Sequence, residues 1–378
     1  MSRTVSPRAK IAATFAALAM VVGGSVVVTQ TDEPEAQSEA TVVDRLTRLE
    51  CEVFGECPPP PVAECEGVRV EPTQNLAQVA ASNPPGTTFC LDAGSYRTAE
   101  VVLQDGDSLV GEDVDQTFIE GSGRHVINAS DTSAVTISDL DVSGATGDST
   151  CRPKCGRGVW PGTDTLIERV HSHHNANLGI GGGEQGLVVR DVELSHNGSQ
   201  DFLGCCAGGI KSGNSFTITG SFVHDNTGNG IWCDHKCPRF VATDNISSDN
   251  TRNGIRFEHG AALSDADVAA SSALIEGNTV QRNNTSRNTP GAGIEINSAS
   301  NAEVLRNILG GTIAAHGIIV RGERHPTVNI QIVDNVLNGD TIGGSRSSSL
   351  AKTPSSLLDF VARARGKLDD PSDIGRVR

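Results

Sequence analysis

A glycine–isoleucine pair recurs at 179/180, 209/210, 230/231, 254/255, 293/294 and 317/318, with spacings of 30, 21, 24, 39 and 24 residues. Two copies are nearly the same phrase, 226-NTGNGIWCDH-235 and 250-NTRNGIRFEH-259. Each runs from an asparagine to an isoleucine and then along an alternating strand that ends in a carboxylate and a histidine. The frame returns at 175-NANLGIGGGE-184 and, more loosely, at 208-GGIKSGN-214, 292-AGIEINS-298 and 316-HGIIVRG-322. Periods of this length mean a solenoid, in which each repeat buries its apolar face only against its neighbours.

A second register lies beside the first. Val170, Val192, Ser221, Asn245, Asn278, Asn307 and Asn335 each fall in or just after a strand-like run such as 186-GLVVRDV-192 or 273-ALIEGNTV-280. Five residues beyond the first five of these stand Asn175, Asn197, Asn226, Asn250 and Asn283. An asparagine at the same turn of successive coils bonds the backbone and its counterparts above and below, satisfying turn groups that would otherwise be buried unpaired. Upstream, short strands follow quickly at 99–103, 107–111, 117–121, 125–128 and 134–142, each bounded by Gly, Asp or Ser. Residues Asn75 to Ser82 read as a short helix that caps the open end, where a terminal coil exposes apolar surface. The expected fold is all-β: a single-stranded right-handed parallel β-helix over 65–345, with that N-terminal cap helix and a C-terminal helix at 353–368 after a linker.

The flanks and the charge narrow the setting. Arg3, Arg8 and Lys10 precede the uncharged stretch 11–28, which reads as a cleaved signal peptide or an uncleaved anchor, the only route to a membrane. Residues 31–64 form an acidic, proline-rich stalk carrying a short helical segment. Ten cysteines behind an export signal read as disulfides, with zinc at 233-CDHKC-237 as the rival reading. A net charge of −16, with no basic run past the first ten residues, argues against nucleic acid as a partner.

Taken together, the asparagine ladders and Gly-Ile strand starts over roughly 90–345 resemble those of pectate-lyase-like right-handed parallel β-helix proteins of the secreted type. Within the repeat, 231-IWCDH-235 is similar to the Trp-x-Asp-His segment of pectate lyases, whereas 321-RGERHP-326 does not have the form of their Arg-x-Pro-x-x-Arg element. The resemblance implies the architecture. It also spans polysaccharide lyases, uronate epimerases, glycoside hydrolases and non-catalytic surface proteins, so the chemistry has to come from the residues.

Strand side chains alternate, so an inward isoleucine fixes its neighbours. One outward column is Gly181, Lys211, Trp232, Arg256, Glu295, Ile319; a second is Gly183, Gly213, Asp234, Glu258, Asn297, Arg321. With coils about 4.8 Å apart, Asp234 and Glu258 are expected to stack as a carboxylate pair, with His235 and His259 at the strand ends and Trp232 offering a flat face to a sugar. Insertions at 198–209, 260–272 and 284–293 would wall this stripe into a groove. The leading expectation is a lyase acting on an extracellular uronic-acid polysaccharide. Arg256 and Lys211, or Ca²⁺ held by Asp234, Glu258 and perhaps Glu295, would neutralise the uronate, and His235, His259 or Lys211 would take its C5 proton. Trp232, Glu295, Asn297 and Arg321 would bind substrate. Hydrolysis by Asp234 and Glu258 is the second class and a non-catalytic glycan-binding rod the third. Ordinary cross-strand charge pairing on a soluble surface accounts for the same columns without any activity. The histidines at 171–174, 196 and 224 read as turn-ladder or surface residues, with His171 and His173 sharing a face that also admits a metal.

Overall fold

The computed structural model describes residues 65–350 apart from 148–154, 184, 200–205, 261–262, 287–290, 314–315 and 345–347. The export segment, the stalk and the helix expected at 353–368 therefore lie outside the described residues.

From Leu187 onward each coil repeats three short strands, whereas the coil before it runs two of them together as Leu166–His173, and neighbouring coils pair in parallel. One sheet, of 10 strands, contains Leu178–Gly181, Gly208–Ser212, Asn229–Cys233, Ile255–Glu258, Ala292–Asn297 and His316–Arg321. It is the sheet of the Gly-Ile frame. Strands such as Phe216–Thr219 and Arg239–Thr243 build a second wall, and Phe222–His224 and Ile246–Ser248 a third. Between these two walls sits one residue with positive φ, such as Asp191 at 52° or Asp244 at 56°. Asp and Gly, which tolerate the left-handed region well, recur at such points, as at Gly220, Gly277 and Asp334, with arginine at 169 and 306.

The register bears out the sequence pattern rung by rung. Ile180, Ile210, Ile231, Ile255, Ile294 and Ile318 are aligned across successive coils and fully buried. Each such side chain contributes about 1.5–3 kcal/mol from burial, in a core one residue thick per wall. The glycine before each isoleucine has a separate cause. A Cβ on Gly230 would lie 2.6 Å from the carbonyl oxygen of Gly254, and one on Gly293 would lie 2.7 Å from that of Gly317. Coil backbones approach so closely at this corner that no side chain fits between them.

Both asparagine ladders are present. The Nδ2 groups of Asn175, Asn197, Asn226 and Asn250 donate to the Oδ1 of the next asparagine at 2.9–3.0 Å. Asn245, Asn278 and Asn307 do the same toward Asn278, Asn307 and Asn335, each at 2.9 Å. At the N-terminal end the helix Leu76–Ser82 is capped by Asn75, whose side chain accepts from the Gln78 amide, and buries Leu76 and Ala80 against the first coils. The Cys65–Cys90 disulfide ties the chain entering this end to the second strand.

Candidate active site

The two outward columns exist as the alternation requires. Gly181, Lys211, Trp232, Arg256, Glu295 and Ile319 are direct register partners on consecutive rungs, and so are Glu258, Asn297 and Arg321. Asp234 lies just past its strand, where its amide donates to the Ser212 carbonyl at 2.9 Å.

These columns are not an open polar surface. Trp232, Glu258, Glu295 and Asn297 are all buried. Trp232 is not the exposed sugar platform expected from the alternation: Lys211 Nζ sits 3.9 Å from its ring centroid, and the Arg256 guanidinium lies 5.1 Å away. Rungs one coil apart are close enough for cations to cover an aromatic face before any ligand arrives. Its indole Nε1 is sealed from solvent without a hydrogen-bond partner.

The carboxylates are likewise taken up by cations rather than stacked on each other. Lys211 Nζ contacts Asp234 Oδ2 at 2.8 Å. Arg256 reaches both Glu258, at 3.0 Å, and Glu295, at 3.2 Å. Arg324 approaches Glu258 at 3.4 Å, and Arg321 approaches Glu295 at 3.8 Å. Asn253 donates from Nδ2 to Glu295 at 2.8 Å and to Asn229 Oδ1 at 2.9 Å. Asn297 donates to Glu323 at 3.0 Å. The result is a line of alternating charge, half enclosed, in which each acid has a base on its own or a neighbouring rung.

The carboxylates expected to hold Ca²⁺ do not fit that ion in this arrangement. A calcium ion gathers six to eight oxygens, whereas Arg256 stands between Glu258 and Glu295 and Lys211 holds Asp234. Among the described residues, Asp234, Glu258 and Glu295 do not form a group whose oxygens all fall within 4.8 Å of one another. The zinc reading of 233–237 falls as well, because Cys233 and Cys237 form a disulfide.

Glu258 is the group whose chemistry is most altered. Burial pushes its carboxyl up to about 7; Asp234 and Glu295 push the same way, while Arg256 and Arg324 oppose them. Near neutral pH it is divided between acid and base, the condition for proton transfer in either direction. His259 is held below the usual histidine range, mainly by burial. Its Nδ1 faces the His235 carbonyl at 3.3 Å, which places the ring proton there, and Nε2 is buried with no partner. Its ring packs edge-on to Phe257, with centroids 5.2 Å apart, so it belongs to the core side of the strand end. His235 is exposed at φ 69°, its amide donating to Asp234 Oδ1 at 2.7 Å.

Sequence reasoning missed Arg324, Asn253 and Asn229. Arg324 lies within 321-RGERHP-326, where its charge is the signal. The insertion after Glu258, expected to be a loop, contains the helix Asp265–Ala269 with a reciprocal Ser264/Asp267 capping box. Its Asp265 meets His325 Nδ1 at 2.8 Å, and His325 Nε2 lies 3.2 Å from the Gly260 carbonyl, pinning the insertion beside the stripe.

Several solved structures are similar to this chain. The A-module of the mannuronan C-5 epimerase AlgE4 of Azotobacter vinelandii superposes with TM-score 0.45 at 17% identity, over 73% of this chain and 84% of that one. The alginate lyase of Paenibacillus sp. str. FPU-7 gives 0.49 at 12% identity, over 75% and 99%. Gene product 12 of bacteriophage phi29 gives 0.50 at 13%, over 81% and 52%. At such identities the likeness is one of fold alone. No curated protein sequence matches this chain. The family model described as "Right handed beta helix region" matches residues 125–337, more than half of the sequence, and the chain belongs to that family.

Proposed function

We propose that this protein acts on an acidic extracellular polysaccharide along the 10-stranded sheet, and that the reaction is elimination at a uronic-acid residue. The observation that carries the proposal is Glu258: a buried carboxyl poised near neutrality, with Arg256 at 3.0 Å and Arg324 at 3.4 Å. Structural ion pairs rarely need a carboxyl that is half protonated at pH 7, whereas acid–base chemistry does. The export segment expected from the sequence and the cystines Cys65–Cys90 and Cys233–Cys237 support a setting outside the cytoplasm.

In this reading Arg324 and Arg321, the more accessible cations of the stripe, bind the uronate carboxylate and draw charge from C5. Ionised Glu258 takes the C5 proton. The C5–H electrons form the C4=C5 double bond, the C4–O4 bond breaks, and the departing O4 takes a proton from Lys211 or water. Arg256 stabilises Glu258 in its charged form, and Trp232 holds Lys211 and Arg256 at their rungs. His235, at the exposed strand end, is the alternative proton donor to O4. His259 is shut into the core side and serves to support the turn.

The test is to incubate the purified chain with pectate, alginate, glucuronan and neutral glycans, following ultraviolet absorbance and reducing ends together. Absorbance and reducing ends rising in step on a uronate polymer is the expected result. Reducing ends without absorbance would replace elimination by hydrolysis, with Glu258 as acid and Asp234 as its partner. Saturable binding with no product would leave a glycan-binding rod.

A further inference from the structure

A second cluster of chemistry-bearing side chains lies on another wall of the solenoid. Asp141, on the strand Thr136–Ser143, is the direct register partner of His171 on Leu166–His173. His173 follows two residues on and therefore projects from the same face. Asp141 Oδ2 lies 3.0 Å from His171 Nδ1 and 2.9 Å from His173 Nε2, and the two imidazole centroids are 4.3 Å apart. Among the described residues, these three side chains form the group of His, Cys, Asp or Glu whose ligand atoms all fall within 4.8 Å of one another.

We propose that Asp141, His171 and His173 bind a divalent first-row transition ion, with zinc as the reference case. Tetrahedral bonds of about 2.0–2.1 Å place neighbouring ligand atoms roughly 3.3 Å apart. The present separations of 2.9 and 3.0 Å need only a few tenths of an ångström of opening to admit the ion. Two imidazoles and one carboxylate suit zinc, copper or nickel and not the hard oxygen-seeking cations.

The surroundings add a second reason. Histidine ligands are generally oriented by a hydrogen bond from the ring nitrogen that does not touch the metal. His171 Nε2 lies 3.0 Å from Ser195 Oγ and 3.5 Å from Glu193 on the next coil. His173 Nδ1 lies 2.6 Å from His174 Nδ1, and His174 is stacked on His196 with centroids 5.1 Å apart. Both candidate ligands are thus held from behind. Asp141 is buried, while His171 and His173 keep about a quarter of their side-chain surface, at 27% and 23%. One coordination position would face solvent. The ion would also bridge the strands of two consecutive coils, at the N-terminal border of the regular repeats.

The test uses the full chain, purified with chelator and dialysed, with zinc chloride titrated calorimetrically and metal content measured after gel filtration. Cobalt(II) serves as a spectroscopic stand-in, and far-ultraviolet circular dichroism checks the fold of each variant. One zinc per chain is expected, with affinity falling at least 100-fold in His171→Gln/His173→Gln and in Asp141→Asn. His316→Gln, on a distant coil where its ring bonds Thr341, should bind within threefold of the wild type, and cobalt should give the intense visible bands of four-coordination. Because the variants could lose structure, the cobalt spectrum of the unaltered chain stands as an independent check. Absence of binding, a weak six-coordinate cobalt spectrum, or binding that survives in a folded His171→Gln/His173→Gln chain would each overturn the assignment. Asp141 would then be only a carboxylate bonded to two imidazoles.

Discussion

Replacing Asn250 by alanine isolates one rung of the ladder on which the solenoid depends. Its Nδ2 donates to Asn283 Oδ1 at 2.9 Å and to the Val223 carbonyl at 3.0 Å. Its Oδ1 accepts from Asn226 Nδ2 at 3.0 Å and from the Asn226 amide at 3.2 Å. Truncation leaves the Asn226 amide buried without its side-chain acceptor, a cost of about 1–3 kcal/mol. The other four bonds, including one from Nδ2 to Ser247 Oγ at 3.2 Å, are worth about 0.5–1.5 kcal/mol each, and their partners keep some alternative contacts. A loss of about 3–5 kcal/mol follows. Because a repeat array need not unfold in one step, two readouts are needed. Urea denaturation followed by circular dichroism should show the loss, and hydrogen exchange at the Asn226 amide should accelerate by roughly 100-fold or more. Asn338→Ala, at an exposed position, is the control and should change little. A loss below about 1 kcal/mol, with exchange at 226 unchanged, would refute the idea that the ladder carries this load.

Gly230→Ala should destabilise by more than the usual helix or strand penalty, since its Cβ would lie 2.6 Å from both the Gly254 carbonyl oxygen and Ser247 Oγ; a thermal melt equal to wild type would contradict the close-approach account. Glu258 has a folded pKa of about 7 against an ordinary 4.5, so its neutral form adds stability that is complete below about pH 4.5 and lost as pH rises through 7. Unfolding free energies of Glu258→Gln from urea titrations should therefore fall less than those of wild type across that window, by on the order of 3 kcal/mol; parallel curves would rule this out. His125 has the opposite sign: burial, with Arg157 and Arg124 nearby, lowers it from 6.5 to about 3, so its stability contribution is present above 6.5 and lost on acidification. His125→Phe should flatten the acid limb of the stability curve between those values, and an unaltered limb would count against it. Trp232→Ala should cost about 3–5 kcal/mol through lost packing, with Trp232→Phe retaining most of it, as read by urea unfolding.

Much of the fold was legible because a solenoid writes its period into the chain. Isoleucines one coil apart must all face inward, and glycines precede them where coil backbones nearly touch. Asparagines recur where turns need acceptors, so both ladders and the outward column from Gly181 to Ile319 could be read directly. The site was legible only in its membership. Alternation says that Trp232 and Glu258 point outward from the sheet; it does not say how far Lys211, Arg256 and Arg324 fold across them. Long cationic side chains reach over a coil spacing of about 4.8 Å with ease, and that reach turned an expected open stripe into a half-buried ion-pair line. The same blindness applies to Asp141, which lies 30 and 32 residues before His171 and His173 and meets them only through strand register. His174 and His196, by contrast, hold positive φ at the corner before an asparagine rung, as turn-ladder residues should.

The proposed reaction turns on proton transfer by Glu258. The most direct test compares wild type and Glu258→Gln on the uronate polymer that responds best, measuring unsaturated product and polymer binding in parallel, with circular dichroism confirming the fold. The account predicts that the variant stays folded, binds within a few-fold of wild type, and forms unsaturated product at least 100-fold more slowly. A folded Glu258→Gln chain that cleaves at the wild-type rate would contradict it.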